Sequence, residues 1–161
     1  HYKNIISEKI FEEKLYLVQS GQPAIRKKKV HTDELDPSKA LFLNWNDNFQ
    51  IWYDRWLSVR ARPHITTDTI TMLRKLWTEP DHWIIAPESV IVEFARHRPL
   101  FVSEIENQPP NRICYKITHH NPKQTSQKAV ELFEEVLEKH LQSLSFSVPF
   151  GEIYSDTAQR R

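Results

Sequence analysis

The order of apolar and polar residues predicts a chain in which short buried strands alternate with amphipathic helices. The clearest case is the stretch 63–87, where a short strand at Ile65 precedes a polar cluster, a helix and a buried strand that ends at Pro87. The apolar stripe of this helix recurs at helical spacing and consists of Ile70, Leu73, Leu76 and Trp77. Strand, helix and strand in this order predict a βαβ unit and therefore an α/β fold.

The stretch 40–56 repeats this arrangement. Residues 40–43 predict a short buried strand, a polar cluster follows, and a helix comes next. The stripe of that helix is aromatic and consists of Phe49, Trp52, Tyr53 and Trp56. Aromatic residues at helical spacing are typical of a core, but they also occur where sugars or nucleobases stack, so both interpretations stay open here.

The rest of the chain continues in the same way. Further strands are predicted at 14–18, 100–102 and 112–118, and further helices at 88–98 and 125–144. Thr125 or Ser126 is suited to cap the last helix. The basic run 26–29, the polar stretch 31–39 and residues 104–111 are predicted to be surface connections, and the residues from 145 onward a loosely ordered tail.

Polar side chains follow the predicted strands at 40–43 and at Ile65, at the point where each strand ends. Asn44 and Asn46 follow one strand, and Thr66, Thr67 and Thr69 follow the other. Each cluster precedes a helix, so its oxygens are suited to accept the first helical N–H groups. Open α/β sheets also bind ligands at strand ends, so a cap and a ligand site are both open interpretations. Because helix N-termini carry partial positive charge, a carboxylate or other anion is the expected guest.

Composition narrows the classes of partner. The chain has 161 residues and a formal net charge of +1, which gives no electrostatic reason to expect nucleic acid or a membrane as a partner of this segment. No apolar run approaches the ~18 residues that span a bilayer. The 2 glycines exclude a glycine-rich phosphate loop. Cys114 is the single cysteine, which excludes an internal disulfide and fits a reducing compartment, so we expect a cytoplasmic location.

Few residues suggest catalysis or metal binding. His119 and His120 are adjacent after a predicted strand, and His140 lies in the last helix. No carboxylate or thiolate stands at ligand spacing from these histidines, so we interpret them as turn and surface residues, with metal binding as the alternative. No serine occupies a glycine-flanked elbow. Cys114 falls in a predicted buried strand, where a thiol is usually inert. We therefore expect no enzyme, metal or cofactor here.

In their order, these elements resemble the later part of the effector-binding domain of LysR-type transcriptional regulators, which has a periplasmic-binding-protein type 2 fold. The segments that carry the resemblance are KIFEEKLYLVQS, LFLNWNDNFQIWYDRW, ITTDTITMLRKLWTEPDHWIIAP and RICYKITHHNPKQTSQKAVELFEEVLEKHL. The resemblance covers residues 9–143. The sequence departs from the family at 77–82, where the family usually has glycines between the central helix and the next strand.

The resemblance implies one complete lobe of this fold and part of a second. It places residues 1–21 in lobe one, 22–105 in lobe two, 106–144 in the returning strand and helix of lobe one, and 145–161 in a tail. It also implies a domain truncated at its N-terminus, without the DNA-binding winged helix-turn-helix and the first βαβ part of lobe one.

The same resemblance implies a function. A small metabolite is expected to bind between the two lobes and to change DNA binding and transcription, with DNA contacted only through a domain absent from this chain and the protein forming a homo-oligomer. The expected hydrogen-bonding residues are Asn44, Asn46, Thr66, Thr67 and Thr69, with Pro87 shaping the edge of the site. A solute-binding protein of a transporter with the same fold is the first alternative. An enzyme of this fold is the second, but the catalytic residues it needs are missing.

Overall fold

The computed structural model describes residues 5–119, 124–143, 151 and 153–154, and the chain divides into two compact units. Unit 1 comprises residues 1–12 and 113–146, and unit 2 comprises residues 13–112 and 147–161. The strands are β1 (Ile5–Glu13), β2 (Leu15–Ser20), β3 (Lys29–Val30), β4 (Leu41–Leu43), β5 (Ile65–Thr67), β6 (Trp83–Pro87), β7 (Leu100–Ile105), β8 (Arg112–His119) and β9 (Ile153–Tyr154). The helices are α1 (Asp47–Tyr53), α2 (Ile70–Leu76), α3 (Glu88–Ala95) and α4 (Gln124–Ser143).

Strand β2 lies in the middle of the unit 2 sheet. It pairs antiparallel with β6 on one side and with β7 on the other, so that Val18 lies opposite both Ile84 and Val102. β3 and β9 both pair with β7. The continuous apolar run of β2 is buried because a core cluster packs against each of its two faces.

Strands β4, β5 and β6 run in the same direction. β4 pairs parallel with β5, and a parallel bridge between Ala40 and Trp83 joins the start of β4 to β6. The carboxyl ends of these three strands therefore lie at the same edge of the sheet. β2 runs the opposite way, so its first residue, Leu15, lies at this edge opposite Pro87.

Helices cover both faces of the unit 2 sheet. Tyr16 and Val18 belong to a core cluster with α2 and α3, whereas Leu15 and Leu17 belong to a second cluster with α1. The α1 members of that second cluster are Phe49, Trp52 and Tyr53, which are 1%, 8% and 2% exposed. The core interpretation of the aromatic stripe is therefore confirmed. A π-helical turn, Asp54–Ser58, extends α1 and buries Leu57 in the same cluster.

Unit 1 contains a two-stranded sheet of β1 and β8 together with α4. Lys116 on β8 forms ion pairs with Glu8 on β1 (3.0 Å) and Glu134 on α4 (2.8 Å). Several large apolar side chains in this unit are exposed, namely Ile113, Tyr115, Ile117, Leu132, Phe133 and Val136. Cys114 is half-buried rather than buried as predicted, because β8 alternates between exposed and half-buried residues.

The two compact units are separated after residue 12 and after residue 112, whereas the predicted lobe boundaries lie after residues 21 and 105. The reason is that β2 pairs with β6 and β7, so the residues from 13 onward belong to their sheet. The assignment of the units to the lobes of the fold stays a prediction.

Other differences concern the predicted connections. Glu104 and Ile105 extend β7, because Lys29, the last residue of the basic run, and Val30 form a parallel strand beside them. In the expected tail, Ile153–Tyr154 pairs with β7. Gly151 precedes this strand with a φ of +73°, a conformation that glycine adopts at little cost, and its N–H donates to the Val102 carbonyl (3.0 Å). The rest of that tail, His120, and the side chains of Thr125 and Ser126 lie outside the described residues.

Candidate functional site

The turn from β4 into α1 is held by two asparagines. The Asn44 side-chain Oδ1 accepts a hydrogen bond from the backbone N–H of Asn46 (3.1 Å), and the Asn46 Oδ1 accepts one from the N–H of Phe49 (2.9 Å). Asn46 is extended, with φ of −177° and ψ of 172°, as expected for a residue that caps a helix. The polar cluster after β4 therefore caps α1.

Two threonines act in the same way between β5 and α2. The Thr67 hydroxyl accepts from the N–H of Thr69 (3.3 Å), and the Thr69 hydroxyl accepts from the N–H of Met72 (3.3 Å). The residue that caps this helix is Thr69 and not the neighbouring Asp68. In both turns, one polar residue holds the turn and the residue two positions later caps the helix.

An open groove lies beside these two strand ends in unit 2. Its volume is about 610 Å³, and its lining consists of Phe42, Asn44, Gln50, Thr66, Thr67, Asp68 and Met72. Three residues expected at a binding site, Asn44, Thr66 and Thr67, are thus brought together in one groove. We call it the strand-end groove.

The other three expected residues do not line the strand-end groove. Asn46 and Thr69 are engaged as helix caps. Pro87 is buried at the end of β6 and is the residue that precedes α3. Whether these six residues contact a ligand stays a prediction.

Four lining residues were missed by the sequence reasoning. Phe42 was treated as a core residue, and it is 8% exposed. Gln50 follows the Asn46 cap by one helical turn, a spacing that places it on the same side of α1 and that could have indicated it. Its side-chain amide donates to Asp54 (3.0 Å). Asp68 stands between two threonines of the polar cluster, and Met72 lies one turn further along the chain in α2.

The beginning of α3 lies at the same sheet edge and receives a carboxylate of the chain itself. Glu13, whose side chain is 1% exposed, accepts hydrogen bonds from the Ser89 N–H (2.9 Å) and the Ser89 hydroxyl (3.2 Å). The Arg112 guanidinium donates to the same carboxylate (2.8 Å). Glu13 therefore accepts a backbone N–H group in the first turn of α3, and the Arg112 guanidinium balances its negative charge.

Two aromatic residues complete this edge. The Arg112 guanidinium lies 5.7 Å from the ring centroid of Trp45, and the Trp45 indole N–H donates to the Ile85 carbonyl (2.8 Å). Tyr16 donates to Glu88 (3.1 Å), and burial together with the charge of Glu88 raises the pKa of the Tyr16 hydroxyl. The Arg112 guanidinium is therefore held in place by Glu13 and stacked on Trp45.

The described residues contain no group of three or more histidine, cysteine or acidic side chains placed to hold a metal ion. Within the same residues, no helix is long and apolar enough to cross a membrane. His119 ends β8 and His140 lies on α4.

Solved structures of regulatory domains have the same fold. The reduced OxyR regulatory domain from Pseudomonas aeruginosa aligns with a TM-score of 0.64 and 12% identity over 86% of this chain and 68% of that chain. The effector-binding domain of QuiR in complex with shikimate aligns with a TM-score of 0.60 and 13% identity over 87% and 68%. A probable transcriptional regulator from P. aeruginosa aligns with a TM-score of 0.61 and 15% identity over 91% and 48%.

These similarities establish the fold, which is α/β and of the periplasmic-binding-protein type 2 class found in the effector-binding domains of LysR-type regulators. The chain spans about two thirds of two of these structures and about half of the third. No protein-family model matches the sequence. A comparison with curated protein sequences finds no relative.

Proposed function

We propose that this chain is part of the effector-sensing domain of a LysR-type transcriptional regulator, and that a small polar metabolite binds in the strand-end groove. The observation that carries this proposal is the convergence of Asn44, Thr66 and Thr67 in one groove at the carboxyl ends of two parallel strands. Ligands of open α/β sheets bind at this position. The fold supports the same function, because its solved neighbours are regulatory and effector-binding domains.

The lining provides complementary contacts for such a metabolite. The Asn44 side-chain oxygen is engaged with backbone, so its amide N–H₂ group is oriented to donate. The hydroxyls of Thr66 and Thr67 both donate and accept, and the Gln50 carbonyl oxygen accepts. Phe42 and Met72 supply apolar contact. A small number of polar groups on a partly apolar surface is the usual composition of a small-molecule site.

Binding controls transcription only if the ligand favours one conformation of the regulator over another. The energy available is the difference in affinity for the two states, typically about 1–3 kcal/mol. In this proposal, a ligand bound in the strand-end groove favours one conformation of a homo-oligomeric regulator. The DNA-binding domain of that regulator lies outside this chain.

The test uses Thr66→Val, which removes a hydroxyl from the groove while keeping the shape of the side chain. Thr66 is preferable to Asn44 and Thr67, because those residues also hold the turns. Backbone amide NMR spectra of the chain are recorded with a panel of sugars, amines, amino acids and hydroxy acids. A ligand that shifts the groove amides is expected to lose about five- to tenfold in affinity, the usual contribution of one hydrogen bond.

The matched control is Thr71→Val, the same substitution at an exposed position of α2 outside the lining, and it should leave the affinity unchanged. Equal losses in both variants would count against the groove. A panel in which no compound shifts the groove amides would also contradict the proposal.

A further inference from the structure

We propose that the strand-end groove selects a neutral or positively charged polar ligand, with a hydroxyl or amine facing Asp68, and discriminates against anions. This inference rests on the proposed function and replaces the expectation that the guest is a carboxylate. It concerns the charge class of the ligand, which the groove's own residues determine.

The first observation is the charge of the lining. Asp68 is the one ionisable residue among the seven that line the groove, and it is exposed. No lysine, arginine or histidine belongs to this lining. A ligand carboxylate would therefore meet an acceptor-only carboxylate without a cation to balance it, whereas an ammonium group would form an ion pair.

The second observation concerns the helix N-termini beside the groove, which gave the original reason to expect an anion. Helices α1 and α2 have seven residues each, and the Asn46 and Thr69 side chains each already accept one N–H group of a first turn. Asp47 adds a negative charge in the first turn of α1. The chain itself therefore offsets part of the positive charge at the N-termini of these short helices.

The third observation concerns the edge of the sheet near α3. The N-terminus of α3 and the Arg112 guanidinium are the features there that are suited to a carboxylate, and both are bound to Glu13. Because the Glu13 side chain is 1% exposed, a ligand carboxylate would have to displace a buried, hydrogen-bonded one. The Glu13 carboxylate thus already occupies the groups at this sheet edge that would bind a ligand carboxylate.

The experiment uses four-carbon molecules that differ in their end groups: putrescine, 1,4-butanediol, 4-aminobutyrate and succinate. Each is titrated into the chain at constant ionic strength, and the backbone amides of Asn44, Thr66, Thr67 and Asp68 are followed by NMR. We expect putrescine to bind at least about tenfold more tightly than succinate, with 1,4-butanediol between them, and we expect this difference to shrink as salt screens the charges.

Asp68→Asn tests the residue to which the preference is assigned. This variant should bring the affinities for putrescine and succinate to within about threefold of one another, since the charge of the lining is gone. Asp33→Asn is the control, because Asp33 has a side chain that is 72% exposed and lies outside the groove. It should retain the full preference.

The outcomes separate this inference from the function on which it rests. Binding of succinate at the groove amides as tightly as putrescine would overturn the inference and leave the groove as a ligand site. Retention of the preference in Asp68→Asn would also overturn it. If none of the four compounds shifts a groove amide, this inference is overturned, whereas the proposed function is decided by the broader panel of sugars, amines, amino acids and hydroxy acids.

Discussion

At the scale of single residues, Asn46 is the most direct link between sequence and structure. Its side chain closes the first turn of α1 by accepting the Phe49 N–H. Asn46→Ala is therefore expected to lower the free energy of unfolding by about 1 kcal/mol, the usual cost of losing a cap. Urea denaturation measures this loss. Asn48→Ala, at an exposed position two residues further along α1, should change stability by less than about 0.5 kcal/mol.

Two ion pairs of equal length show how burial changes the weight of a contact. Arg112–Glu13 and Arg96–Glu93 both measure 2.8 Å, but the Glu13 side chain is 1% exposed and the Glu93 side chain is 48% exposed. We expect Glu13→Gln to cost about 2–3 kcal/mol in the free energy of unfolding, because it leaves buried donors poorly satisfied. Glu93→Gln should cost less than about 1 kcal/mol. Similar losses in the two variants, measured by urea denaturation, would contradict the role given to Glu13.

These residues also mark what could be read from sequence. The caps at Asn46 and Thr69 were predictable because each cap directly precedes its helix and accepts an N–H group only three residues later. The role of Glu13 was not predictable, because Ser89 and Arg112 lie 76 and 99 positions away along the chain. The pairing of β2 with β6 brings Glu13 close to Ser89.

At the scale of elements, the α2 stripe divides into a buried and an exposed part. Leu73 is 2% exposed and packs in the core cluster beside α3, whereas Ile70 in the first turn is 37% exposed. Leu73→Ala should therefore cost about 2–4 kcal/mol through lost burial and a cavity. Ile70→Ala should cost less than about 1 kcal/mol, because water already reaches this residue. Thermal or urea unfolding of the two variants distinguishes the two positions, and equal costs would show that the face of α2 is assigned wrongly.

Periodicity predicted the positions of helices and strands along the chain better than it predicted which of them pack or pair together. The stripe at 70–77 predicted α2 to within a residue, and the apolar run that ends at Pro87 predicted β6. The two-residue strand Lys29–Val30 carried no such signal, because it lies at the end of a basic run and forms only beside Glu104 and Ile105. The spacing of Gln50 from Asn46 indicates its side of α1, but its place in the groove beside Thr66 and Thr67 depends on how α1 packs.

At the scale of the whole molecule, one buried histidine makes stability depend on pH. His82 is 3% exposed, and its ring centroid lies 4.5 Å from that of His64. Burial, and then the nearby His64, lower the pKa of His82 below its ordinary value of 6.5, while Asp81 and Glu79 oppose the shift. His82 is therefore neutral in the folded protein at a pH where the unfolded chain binds a proton.

The sign of the effect follows from proton uptake. Because the unfolded state binds more protons below about pH 6.5, the stability that neutral His82 provides is present above this pH and is lost as the pH falls. We expect the loss to begin as the pH falls below about 6.5 and to stop once the pH is below the lowered pKa of His82, with a slope of at most about 1.4 kcal/mol per pH unit. Urea denaturation of wild type and His82→Gln between pH 5 and 7.5 measures the slope, which should be smaller in the variant. An unchanged slope would contradict this account, and exposed His119→Gln should behave as wild type.

The central position of β2 has a consequence for folding of the chain during its synthesis on the ribosome. Val18 is synthesised before its partners Ile84 and Val102, which come much later in the chain. At a typical elongation rate of about 5–20 residues per second, the 84 residues from Val18 to Val102 take roughly 4 to 17 s, so both neighbours exist only after that interval. During that interval Leu15–Val18 is an unpaired apolar segment, the kind of surface that chaperones bind and that aggregates between nascent chains.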